Sequence, residues 1–245
     1  GSSFYADLTA SQLVSWFDQV PDDFRFSFII PQVVTHKLDV TKESDALAAL
    51  SGFCDLLRPF SAKLGPTMMQ FPESASPHYL SQITALCQAW SLPTPLSLEV
   101  RHQQFFYKGQ DEVDLLRMLA NLNCNKVIMD SRPVFCTPAY NDSLIDAQKK
   151  KPRVPCHPVV TGQNPVVRFI GHPDLALNDL YLEQWAKKLL EWMRQGCEPY
   201  VFVHSSDNVA APLLAVSLEQ KIVSLDSRYQ ARLKLPSKPQ QSSLL

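Results

Sequence analysis

Apolar residues along this chain gather into short continuous runs, separated by longer stretches with one apolar face at helical spacing. The runs are Phe24 to Ile30 (FRFSFII), Thr67 to Phe71 (TMMQF), Leu96 to Val100 (LSLEV), Lys126 to Asp130 (KVIMD), Val166 to Ile170 (VVRFI) and Tyr200 to His204 (YVFVH). Most are continuously apolar rather than alternating, as strands covered on both faces must be. Between them, Ser76 predicts a helix N-cap, with Pro77 in the first turn and Leu80, Ile83, Cys87 and Trp90 on one face. A second helix sets Leu182, Trp185, Ala186, Leu189 and Met193 on one face and stops at Gly196. The segments 9–19, 43–58, 111–121 and 208–223 fit the same period. Strand–helix alternation of this kind predicts an α/β fold: six parallel strands, neighbouring in chain order, with helices outside.

One segment breaks the alternation. Residues 132–165 contain six prolines and the run Lys149-Lys150-Lys151, which predicts a long excursion above the sheet, a candidate lid. The lysine run reads as a solvated face or as a contact for an anionic partner. From Pro236 the sequence PSKPQQSSLL predicts a flexible tail. Residues 1–235 therefore read as a single domain and 236–245 as its tail. Trp16, Trp90, Trp185 and Trp192 fall on helix faces and read as core.

The candidate chemistry sits where the runs end. The first leads to Thr35-His36, the second carries Gln70, and the third gives Glu99, Arg101 and His102. The fourth ends on Asp130 and Arg132, the fifth holds Arg168 ahead of Gly171-His172, and the sixth closes on His204 with Asp207 and Asn208 following. In parallel α/β folds the carboxyl edge of the strands is where ligands bind. Glu99-x-Arg101 and Asp130-x-Arg132 repeat one spacing, and residues two apart in a strand share a face. Such pairs are either structural ion pairs that neutralise each other or part of an anion site. Arg101, Arg132 and Arg168 outnumber the two carboxylates, and guanidinium groups suit a bidentate carboxylate or phosphate. Glu99, Asp130, His36 and His204 are the candidate proton carriers, although either histidine could instead satisfy buried backbone. Gln70, Arg101, His102, Arg132, Arg168 and Asn208 are the candidate substrate contacts. Glu99, His102, Asp130 and His204 could also ligate a divalent ion, but the arginines oppose a cation, so neither metal nor cofactor is expected.

Composition narrows the classes. A net charge of −1 over 245 residues supplies no field to recruit nucleic acid or an anionic membrane. No apolar run reaches the roughly 18 residues needed to cross a bilayer. The six cysteines are scattered without a C-x-x-C spacing, which favours free thiols in a reducing cytoplasm over a zinc site or disulfide framework. Neither a G-x-G-x-x-G nor a G-K-[ST] nucleotide cradle occurs.

Taken in order, SSFYADLTASQLVSWFDQVPDDFRFSF, VVTH, KLGPTMMQFP, LSLEVRHQQFF, VIMDSRP, VVRFIGHP and YVFVHSSDNVAAPLLA resemble the YecE-like family. That resemblance implies a TIM (β/α)8-type barrel and no established reaction. Three positions depart from the family pattern: Ile29 stands where a Lys is common, Phe105 or Phe106 where a Trp follows E-x-R-H, and His204-Ser205-Ser206 where paired Asn close the last strand. Family members also carry an opening strand and helix and a second strand ahead of the FY segment. With six runs in view, the expectation is a barrel whose first one or two β/α units precede Gly1. The functional expectation is an enzyme acting on a small phosphate- or carboxylate-bearing substrate at the strand ends. The alternatives are a metal-dependent hydrolase or isomerase of sugar- or nucleotide-like substrates, and a non-catalytic ligand-binding module.

Overall fold

Five of the six apolar runs form strands in the computed structural model, which describes residues 2–5, 7–36, 43–206 and 209–235. They are β1 (Thr67–Gln70), β2 (Leu96–Glu99), β3 (Asn125–Asp130), β4 (Val166–Gly171) and β5 (Tyr200–Ser205), and they form one sheet in chain order. β1 pairs with β2 and β2 with β3, both parallel. The helices are α1 (Ser2–Tyr5), α2 (Ala10–Asp18), α3 (Gln32–Thr35), α4 (Glu43–Leu57), α5 (Leu80–Gln88), α6 (Gln110–Asn121), α7 (Asp142–Lys150), α8 (Asp179–Arg194) and α9 (Ala211–Leu225).

The first run, Phe24 to Ile30, does not become a strand. It lies beside β1 through isolated parallel bridges, Phe26 to Leu64 and Ile29 to Met68. Between those bridges the first run advances three residues and its partner four. The extra residue falls at Gly65-Pro66, and Pro66 has no N–H to continue a ladder. The backbone bonds on either side remain good: Gly65 N–H to Phe26 O at 2.8 Å and Ile30 N–H to Met68 O at 2.9 Å.

The chain divides into two compact units. The first comprises Gly1–Asp130, Pro152–Arg168 and Gly196–Phe202, and the second Ser131–Lys151, Phe169–Gln195 and Val203–Leu245. In the first unit, Thr9 and Gln12 close a capping box on α2, which satisfies two N–H groups the helix cannot pair internally. That helix buries Leu13 and Phe17, and Phe17 stacks on Phe60 with ring centroids 4.6 Å apart. Leu50, Phe53 and Leu57 of α4, Ile83 and Leu86 of α5, and Leu115 and Leu119 of α6 share one core with Met69, Leu96 and Leu98. The other face of the strands carries a smaller cluster of Met68, Val127 and Val166, packed with Ile29, Tyr200 and Phe202.

In the second unit α8 packs on α9, burying Leu182, Trp185, Ala186 and Leu189 of one helix and Leu214 and Leu218 of the other. The proline-rich excursion holds a helix that the sequence reading passes over. Pro133 and Pro138 precede α7 and Pro152 follows it, so none interrupts its hydrogen bonds. Asn141 caps α7 by accepting the Leu144 N–H at 2.9 Å, Asp142 sits in its first turn, and Lys149 and Lys150 sit in its last. Those charges oppose the helix dipole at both ends, so part of the lysine run is a helix terminus. The segment from Pro236 lies outside the described residues.

Candidate functional site

Strand register decides which polar side chains can meet. Gln70 lies opposite Glu99, and Ser97 lies opposite Asn125. By alternation Met68 and Gln70 share a face with Ser97, Glu99, Val127 and Met129. Lys126, Ile128 and Asp130 take the other face. Met68, Val127 and Val166 therefore form an apolar floor, and Gln70, Glu99 and Arg168 stand one step nearer the carboxyl ends.

Arg168 is 7% exposed and Glu99 1%. The Nη1 group of Arg168 donates to Glu99 Oε2 and, at 3.1 Å, to Gln70 Oε1. Arg101 binds the other carboxylate oxygen through both Nε and Nη2, each at 2.8 Å. One buried carboxylate is thus shared by two guanidinium groups. Burial alone pushes the Glu99 carboxyl up, but the charges of Arg168 and Arg101 outweigh it and hold the group below its usual range. Glu99 stays ionised with both oxygens engaged. Arg168 Nε is buried and has no hydrogen-bond partner among the described residues. At His36, burial and then the charge of Arg101 lower the imidazole below its usual range. The His36 Nδ1 and Thr35 Oγ1 lie 2.9 Å apart, and Phe4 meets the ring edge-on.

Of the other expected contacts, Asp130 and His102 belong to the first unit and Arg132 and His204 to the second. Asp130 is fully buried, but the register puts it on the face opposite Glu99. The two D/E-x-R spacings, alike in sequence, are not alike in space. His102 caps the short helix Gln103–Phe106, its Nδ1 accepting the Gln104 N–H at 3.4 Å. Arg132 is in the second unit, where it donates to Gln184 Oε1 at 3.1 Å and lies over the Tyr181 ring. His204 is a half-buried residue of β5 in the second unit. Asn208 lies outside the described residues. The G-H-P motif is architectural: a Cβ on Gly171 would meet Asn178 Oδ1 at 2.9 Å, and that oxygen accepts the His172 N–H at 2.7 Å.

Two buried polar groups escape the sequence reading. Lys126, on the helix side of β3, has its Nζ 3.5 Å from Glu112 Oε1, and the same oxygen lies 2.9 Å from His157 Nδ1. The ammonium also lies 5.1 Å from the centroid of the Phe106 ring. Burial lowers Lys126 below its usual range despite Glu112. The signal was a lysine opening an otherwise apolar run. The second is Cys87 with Cys124, both on a cavity of about 570 Å³ at the amino ends of β2 and β3, the edge away from Glu99.

A family model described as "Protein of unknown function DUF72" matches residues 1–241. The UPF0759 protein YecE of Escherichia coli strain K12 and that of strain O157:H7 are each 34% identical over 243 residues, covering 99% of this chain and 87% of the relative. A DUF72 family protein of Thermotoga maritima superposes with a TM-score of 0.60 at 20% identity, covering 91% of this chain and 81% of that one. One from Enterococcus faecalis gives 0.65 at 16% identity, covering 94% and 88%. At these identities the two crystal structures show a shared fold.

Proposed function

The chain belongs to the DUF72 family, the YecE-like proteins, and from that premise we propose that it is an enzyme acting on a small anion held by Arg168 and Arg101. The observation that carries this reading is Arg168 Nε, a donor inside a buried, permanently charged side chain with no acceptor among the described residues. Leaving such a group unmet costs free energy that an incoming oxyanion recovers. Charge supports the same reading, since two guanidinium groups that cannot deprotonate face one carboxylate. A phosphate, sulfate or carboxylate group adds the missing negative charge, whereas a divalent cation meets repulsion. Glu99 then works as the brace that aims both arginines, with Gln70 steadying Arg168. His36, held neutral near pH 7, is the side chain able to accept a proton.

We further propose a (β/α)8-type barrel fold, with residues 1–235 as one domain, and a cytoplasmic location. No helix among the described residues is long and apolar enough to cross a membrane. Among those residues no three His, Cys, Asp or Glu side chains gather as a ligand set.

Calorimetric titration of the full chain with inorganic phosphate and with sulfate, at low ionic strength, tests the proposal. Wild-type protein should bind one anion, and Arg168→Gln should weaken it about 10- to 100-fold, the worth of one charge-assisted hydrogen bond of roughly 1.5–3 kcal/mol. Equal affinity in the two proteins, or no binding at millimolar anion, contradicts it.

A further inference from the structure

The cavity of about 570 Å³ at the amino ends of β2 and β3 has the size of a small-molecule site, roughly 300–1,000 Å³. Among the described residues no Lys, Arg, His, Asp or Glu contributes to its wall, so a charged ligand would give up its water for no counter-charge. The wall is divided between amide side chains and apolar surface. Gln88 ends α5, Asn123 lies in the turn between α6 and β3, and Gln163 and Asn164 precede β4. Each amide both donates and accepts, and Gln88, Asn123 and Gln163 are exposed. Trp90 supplies aromatic surface. Its Nε1 donates to Thr94 O at 2.9 Å, which occupies the polar edge of the indole and leaves carbon to meet a ligand.

This wall is held in place by bonds that involve no ligand. Asn125 Oδ1 accepts the Asn164 N–H at 3.0 Å, Asn164 Nδ2 donates to Glu198 Oε2 at 3.2 Å, and the Glu198 N–H donates to Gln163 O at 2.9 Å. A Cβ on Gly162 would lie 2.5 Å from Asn125 Oδ1, so the backbone beside Asn125 comes this close only as glycine. Little ordering is then left for binding to impose. One polar group of the wall is unmet: Thr94 Oγ1 is buried without a hydrogen-bond partner among the described residues. A step of χ1 between staggered wells would turn it to the cavity, where a ligand hydroxyl offsets the penalty of leaving it unmet.

We propose that this cavity binds a neutral saccharide, a hexopyranose or one unit of a short oligosaccharide. A pyranose carries no charge, has an apolar face of C–H groups, and bears hydroxyls around its ring that each donate and accept. Those properties match the uncharged wall, the Trp90 surface and the amides that reach the cavity from three separate segments. A nucleobase would also stack on Trp90, but its polar atoms lie along the edge of one plane, which amides from three segments suit less well. The site shares no residue with Gln70, Glu99, Arg101 and Arg168.

The test is an NMR titration of the isotopically labelled full chain with glucose, galactose, mannose and maltose, and in parallel with glucuronate and adenosine. The signals followed are the Trp90 Nε1–H and the side-chain amides of Asn123, Gln163 and Asn164. At least one neutral sugar should shift them saturably, and glucuronate should bind more weakly than the best neutral sugar. Gln163→Ala, a change at an exposed position, should weaken that sugar about 2- to 10-fold, the worth of one neutral hydrogen bond. Trp90→Leu should weaken it further. No saturable shift with any neutral sugar, equal or tighter binding of glucuronate, or shifts with adenosine alone would overturn the proposal. So would an affinity unchanged in both variants. Phosphate is the probe of the Arg168 site, so its failure there leaves this titration unaffected.

Discussion

Glu99 illustrates how a single buried carboxylate becomes stable in its charged form. Alone it would shift toward protonation. Between Arg168 and Arg101 it stays ionised. Removing one member of such a cluster leaves the others buried and uncompensated, which typically costs about 3–5 kcal/mol. Glu99→Gln should therefore lower the urea or thermal midpoint clearly, and an unchanged midpoint would mean that the arginines find other acceptors. The pH dependence has a definite sign. The folded Glu99 carboxyl lies below its unfolded value near 4.3, so its stabilisation is complete above that pH and fades as pH falls through the folded value. The stability gap between wild type and Glu99→Gln should accordingly narrow in acid. His36 behaves similarly in a different window. Its folded value is depressed, so below about 6.5 the unfolded chain takes up the proton first and stability declines. His36→Gln should remove that limb from the stability–pH curve, and a curve that keeps it assigns it to another group.

At the scale of elements, Lys126, Glu112 and His157 tie β3, α6 and the segment 152–165 together. The Lys126 N–H adds a bond to Thr161 Oγ1 at 2.8 Å. The two charged partners are not equally replaceable. Without Lys126, Glu112 keeps His157 and the Lys108 N–H, and a methionine fills the space over Phe106. Without the Glu112 carboxylate, a buried ammonium with no hydrogen-bond partner among the described residues loses the counter-charge 3.5 Å away. Lys126→Met should therefore cost about 1 kcal/mol or less and Glu112→Gln several, as measured by urea denaturation. Equal losses would show that the lysine is bound more strongly than its geometry implies. This group also marks what the sequence could and could not disclose. Apolar runs and helical periods located β1 to β5 and most helices, because burial on two faces and on one stripe leaves a local pattern. Register is not local, so Asp130-x-Arg132 read like Glu99-x-Arg101 until strand pairing set Glu99 and Asp130 on opposite faces. The bulge at Pro66 and the proline-flanked α7 were hidden because a proline marks a boundary without saying which side is ordered. Cys87 and Cys124 line one cavity only through tertiary packing, and no spacing rule announces them.

For the whole molecule, a net charge of −1 coexists with a local excess of positive charge around Glu99. Anion affinity should therefore come from the site and not from the protein's overall field. Affinity for sulfate should fall only moderately between low and physiological salt, because a buried pair is screened less than exposed charges. A steep power-law loss, typical of diffuse surface lysines, would point away from Arg168. Membership of the DUF72 family and the shared fold place this chain among proteins whose sequences differ widely around one scaffold, and function must then be argued from side chains. The most direct measurement is a crystal structure of the full chain soaked in phosphate. Tetrahedral density is expected within hydrogen-bonding distance of Arg168 Nε, with Glu99 still bridging the two arginines, and it should be lost in Arg168→Gln. An ordered site at high phosphate in which Arg168 Nε keeps no anion would contradict it.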